Sequence, residues 1–107
     1  MAAPLDPASV MSEVERIAES AQFVRSKRLV RFLRFSVSET LAGRGESLSE
    51  HLIAAQAYER PSSFDPQLDP IVRSEARRLR SKLKRYYRTD GARDPIIIKY
   101  NPGSYAR

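Results

Sequence analysis

Apolar positions recur at helical spacing in four stretches of the chain, and the rhythm changes near the C-terminus. From about Ala8 to Ala21, Val10, Val14, Ile17 and Ala21 share one side of a helix, with Glu13, Glu15 and Glu19 facing away. A second helix fits Ser26 to Ala42, with Ser26 as N-cap and Gly43 and Gly45 as the stop. Its Leu29, Leu33, Val37 and Thr40 form one stripe, which Val30, Phe32, Phe35 and Leu41 widen well beyond a single face. An arc that broad suits packing against more than one neighbour, or a homodimer contact. Ser47 and Glu50 have the spacing of a capping box and open a third helix reaching Tyr58, with Leu52, Ile53, Ala55 and Ala57 as its apolar contacts. Residues 60–69 carry turn chemistry throughout.

Asp69 and Pro70 start a fourth helix, Asp as N-cap and Pro at the first helical position, where its missing N–H costs nothing. This helix is expected to run to Arg88 and stop at Thr89-Asp90-Gly91. Val72, Ala76, Leu79, Leu83, Tyr86 and Tyr87 fall within one arc and are assigned to the core. Ile96 to Tyr100 then reads as a β-branched strand, Asn101-Pro102-Gly103-Ser104 as a type II turn, and Tyr105 to Arg107 as a return strand. Residues 1–7, with two prolines and no periodicity, read as a disordered lead, and 8–107 as one domain. The expected fold is mainly α with a small C-terminal β-hairpin, a winged helix-turn-helix.

Charge sharpens this picture. The net charge is +6 over 107 residues, but residues 70–88 alone hold eight cations against Glu75. That segment is +7, which leaves the rest of the chain at −1. Opposite the apolar arc of the fourth helix lie Ser74, Arg77, Arg78, Ser81, Arg85 and Arg88, flanked by Arg73, Arg80 and Lys84. A charge run is usually a solvated face. Here, however, Arg73 with Arg77 and Arg80 with Lys84 are like-charged neighbours four residues apart, which repel. A polyanionic partner is the simplest reason to keep them, and arginine suits it, because its planar fork bonds guanine and phosphate alike.

Several classes are excluded or disfavoured. The chain has no cysteine, so disulfides, zinc ribbons and thiol nucleophiles are ruled out, and the single His51 removes any His-pair metal site. No nucleophile elbow surrounds the serines, and Asp65 and Asp69 read as turn and cap chemistry. The expectation is a protein that is not an enzyme and needs no cofactor or small-molecule substrate. No apolar run approaches the roughly 18 residues of a membrane span, and no secretory signal opens the chain, so a cytoplasmic location is expected. A basic amphipathic helix also suits an anionic membrane surface, but this one lacks tryptophan and starts as part of a packed fold.

The run Val72-Arg73-Ser74-Glu75-Ala76-Arg77-Arg78-Leu79-Arg80-Ser81-Lys82-Leu83, followed by Gly103-Ser104-Tyr105, resembles the OmpR/PhoB type of winged-helix DNA-binding domain. The stretch from Phe64-Asp65-Pro66 through Tyr86-Tyr87 is closer still to a similar N-terminal domain of bacterial regulator-like proteins, which often precedes membrane and repeat modules. The resemblance covers roughly Ser26 to Arg107, and Asn101 stands where the wing of that family usually carries arginine. It implies a transcription-regulator domain whose partner is duplex DNA. Arg73, Ser74, Arg77, Arg78 and Ser81 would lie toward bases, Lys84, Arg85 and Arg88 toward phosphates, and Arg80 would be a further DNA contact. Lys99, Asn101, Ser104 and Arg107 would form the wing contact. The N-terminus of the third helix offers a further phosphate site. The rival reading is a protein-interaction or dimerisation module that uses the Phe32/Phe35 face.

Overall fold

The computed structural model describes residues 6–44 and 48–98. They form four helices, α1 (Pro7–Glu19), α2 (Lys27–Leu41), α3 (Glu50–Tyr58) and α4 (Ile71–Arg88). α2 lies at the centre and packs against each of the other three, and α3 also meets α4. The wide apolar arc of α2 is thereby consumed within the chain: Leu29, Val30, Phe32, Leu33 and Val37 are buried, and Phe35 and Leu41 are half-buried against them. Phe32 is fully buried with its ring edge-on to Tyr58, so it presents no surface for a second copy.

Each helix begins and ends for a local reason. Pro7 belongs to the first turn of α1, where a missing N–H is harmless, so the lead ends earlier than its prolines suggest. α2 gives way to Gly43, whose φ of 82° is open to glycine at little cost. α3 is capped by Ser49, whose hydroxyl accepts the Leu52 N–H at 3.1 Å; Ser47, the expected cap, lies outside the described residues. Glu59, in the left-handed region at φ 54°, ends α3. α4 starts one residue later than expected, with Pro70 rather than Asp69 at the N-cap; Asp69, just before it, supports that start, its carboxylate accepting the Ile71 N–H at 3.1 Å and the Arg60 Nε–H at 2.9 Å. Asp65 holds the preceding turn by accepting the Gln67 N–H.

The expected C-terminal β-hairpin is corrected: no strand or sheet occurs among the described residues, and the fold there is all-helical. Residues 99–107, with the turn and return arm, lie outside the described residues. Ile96 and Ile98 are buried while Ile97 is 61% exposed, so the alternation of a strand is kept with no partner strand among the described residues. The Ile98 N–H, which a hairpin would pair with backbone, donates instead to the Tyr87 hydroxyl at 2.9 Å. β-branched residues fit any half-buried extended surface, and here the surface is helical.

That hydroxyl is part of a second correction. Glu13, expected to face water, is fully buried and accepts a hydrogen bond from Tyr87 at 2.7 Å and another from Arg16 at 3.1 Å. Asp94 stands close to it and accepts a hydrogen bond from Tyr86. Burial pushes the Glu13 carboxyl above the usual carboxylate range; Tyr87 and Arg16 oppose that shift and Asp94 adds to it. The Tyr86 ring fills the space over Gly91, where any Cβ would collide with it. Tyr86 is in the core and Tyr87 half-buried at its rim, so neither ring is free for base stacking.

Two outcomes follow for stability. Because the folded state holds the Glu13 proton more tightly than the unfolded chain, this group favours folding at low pH. That contribution fades as pH rises from the ordinary carboxylate range through the raised value. Glu13→Gln keeps an acceptor for Tyr87 and removes the titration, so urea unfolding from pH 4 to pH 7 should show the wild type losing ground to the variant; parallel curves would contradict the buried, raised carboxyl. Tyr87→Phe strips a partner from both Glu13 and the Ile98 N–H, and should cost about 2–4 kcal/mol, since each orphaned buried group costs roughly 1–3 kcal/mol.

Candidate nucleic-acid interface

The two faces of α4 are separated completely. Val72, Ala76, Leu79, Leu83 and Tyr86 are buried, as the periodicity expects. The exposed arc carries Arg73, Arg77, Arg78, Lys84, Arg85 and Arg88 with Ser74 and Ser81, and Arg80 is half-buried at its edge. Glu75, the helix's one acid, is turned inward and only 8% exposed, where it pairs with Arg78 at 2.9 Å. The outward arc therefore contains no acid at all. An 18-residue helix is about 27 Å long, enough to lie along most of a groove turn.

The predicted contact residues differ in how far they are committed elsewhere. Arg77, Arg80, Lys84, Arg85 and Arg88 make no side-chain hydrogen bond or ion pair with other described residues. Arg73 is partly spent: it donates to the Pro66 carbonyl at 2.6 Å and approaches Glu50 at 3.8 Å, which ties the 60–70 loop to α4. Lys99, Asn101, Ser104 and Arg107 lie outside the described residues. His51 is exposed and stacks edge-on against the Phe64 ring at 5.6 Å, with no catalytic partner beside it. Among the described residues no cluster of potential metal ligands occurs, and no helix is long and apolar enough to cross a membrane.

Lys82 has a different task from the cations around it. Its ammonium donates to the Gln22 carbonyl at 2.9 Å and the Ser26 hydroxyl at 2.8 Å, and lies 5.8 Å from the centre of the buried Phe23 ring. α4 is thus fastened to the turn that precedes α2. Ser26 occupies the N-cap position of α2 as expected, but its hydroxyl serves Lys82 and caps nothing. The N-terminus of α3, expected to be open to phosphate, is instead occupied by the Ser49 cap and by Glu50 in the first turn.

A second basic group was hidden by summing charge over the whole chain. Arg25, Lys27, Arg28, Arg31 and Arg34 fall within residues 25–34 without a single acid, a local run that a windowed count of charge reveals. Arg31 pairs with Glu59 and Arg34 with Glu15. Arg25, Lys27 and Arg28 are exposed and have no hydrogen bond or ion pair with other described residues. Basicity therefore belongs to two elements, and Arg78 of α4 lies against the second of them.

Lys82→Met should cost about 1–3 kcal/mol in urea unfolding, because its hydrogen bonds are charge-assisted and part-buried. Lys84→Met, on the outward arc, should change stability by less than about 0.5 kcal/mol. Equal effects would mean that α4 is not divided into a fastening edge and a free face. Comparison with models of known protein families, with curated proteins and with solved structures finds no match, so the likeness to OmpR/PhoB-type domains rests on the residues quoted for it.

Proposed function

We propose that this helical domain binds duplex DNA, with the outward face of α4 in the major groove. The observation that carries this reading is the acid-free arc of six cations and two serines on one rigid helix whose opposite face is core. Such an arc opposes its own formation through like-charge repulsion, and a phosphate backbone relieves that cost by exchanging its condensed counterions for arginine and lysine. Ser74, Arg77 and Ser81, in the first two-thirds of the helix, meet base edges; Arg78, held by Glu75, and Lys84, Arg85 and Arg88 meet phosphates. Arg73, already engaged with the 60–70 loop, sets the position of the helix start more than it reads sequence. The reading requires no wing, because an α-helix fills the major groove by itself. As a DNA-binding domain of transcription-regulator type, the chain would work in the cytoplasm.

Fluorescence anisotropy with duplex DNA over a salt series tests this. Wild-type affinity should fall steeply with salt. Arg77→Ala should weaken a selected site by about 5- to 150-fold, a loss of roughly 1–3 kcal/mol, and relax preference at one base pair. Arg85→Ala should weaken all sequences alike and lower the salt slope by about one. No binding at low salt by a chain whose helical circular dichroism is intact would overturn the proposal.

A further inference from the structure

Beside α4, the chain forms an open concavity of about 390 Å³ between the N-terminus of α2 and the middle of α4. Its wall is made by Arg25, Lys27, Arg28, Arg78 and Glu75, with Ser26 at its edge. The volume is many times a water molecule's share of about 30 Å³, so a solvated anion can enter. Two independent features of this groove favour a phosphate group.

The first is charge. Four cations face one carboxylate, and that carboxylate is already held by Arg78 at 2.9 Å. A guanidinium has five N–H donors, so Arg78 keeps most of them after serving Glu75. The second is backbone. The N–H groups of Lys27, Arg28 and Leu29 have no hydrogen-bond partner among the described residues, and Ser26, the residue placed to cap them, gives its hydroxyl to Lys82. An uncapped helix start of this kind presents donors and a positive dipole end to an anion.

We infer that this groove is a phosphate-binding site for the DNA backbone: one phosphodiester flanking the α4 contact seats against Arg25, Lys27, Arg28 and Arg78 and the open N–H groups of α2. The inference rests on the DNA-binding reading and deepens it, because Arg78 belongs both to the outward arc and to the groove wall. The strand gripped by the groove is thereby fixed relative to α4. This site is sequence-blind, and it orients the helix as phosphate contacts do.

The test compares the full chain with Arg28→Ala and Arg25→Ala. Binding to random duplex is measured across salt, and the amide resonances of Lys27, Arg28 and Leu29 are followed on adding duplex or an equal concentration of inorganic phosphate. Arg28→Ala should reduce the salt slope by about one and weaken every sequence equally. Arg25→Ala, an exposed groove-wall change that should leave stability nearly unchanged, should likewise weaken every sequence and lower the salt slope by about one. Duplex should move the three amides and free phosphate should leave them nearly still. If the wild type binds DNA while both variants match it in slope and affinity, the groove proposal is overturned and the α4 reading stands. Amides that respond to free phosphate but not to duplex would also overturn it, in favour of a small-anion site. A wild-type chain that binds no DNA would overturn both.

Discussion

Everything in this domain turns on one helix having to satisfy two solvents. The apolar stripe of α4 is buried by α2, α3 and the segments around them, and each large side chain placed there is worth about 1.5–3 kcal/mol. Like-charged neighbours on the opposite face oppose the helix by only about 0.2–0.5 kcal/mol per pair. Burial wins by a wide margin, so a strongly cationic helix folds, and the same geometry that hides Leu79 and Leu83 forces Arg77, Lys84 and Arg85 outward. The helix dipole helps at one end, where Arg85 and Arg88 sit in the last turn.

The remaining polar side chains of α4 mark where it is attached, and each attachment has a consequence elsewhere. Lys82 reaches the turn before α2 and draws Ser26 away from its capping role, which leaves the start of α2 electrostatically open. Glu75 and Arg78 line the same opening from the α4 side. At the far end, Tyr86 and Tyr87 bind Asp94 and Glu13, so the segment after the helix is anchored to α1 through one buried carboxyl. The basic element is thus braced on three sides, and its free face inherits that rigidity.

What the sequence discloses is uneven, and the unevenness has a physical pattern. The faces of α4 were legible because eighteen residues give many repeats of one period, and the core stripe and the cationic arc each confirm the other. The breadth of the α2 arc likewise announced more than one neighbour. Glu13 was misread because periodicity assigns an acid to the outside, and only a tertiary partner, Tyr87 from far along the chain, makes burial tolerable. Ile96 to Ile98 looked like a strand because alternation and β-branching report a half-buried surface and say nothing of what covers it. The basic residues at 25–28 escaped attention because neighbouring acids on α1 and α3 cancel them in any whole-chain sum.

With no strand among the described residues, the physical argument for DNA binding rests on other groups than the expected hairpin. A wing supplies a second contact that sets the angle of the inserted helix; among the described residues some other group must do so. The open end of α2 is on the correct side of the molecule for that role, since Arg78 is shared between the two surfaces. Arg25, Lys27 and Arg28 make no hydrogen bond or ion pair with other described residues, whereas the N–H groups opening α3 are answered by Ser49 and Glu50, and Arg31 and Arg34 by acids of their own. Surface pairs of that sort contribute little to stability. Their effect is to neutralise the flanks, so that among the described residues most of the unpaired positive charge lies along α4 and at the groove beside it.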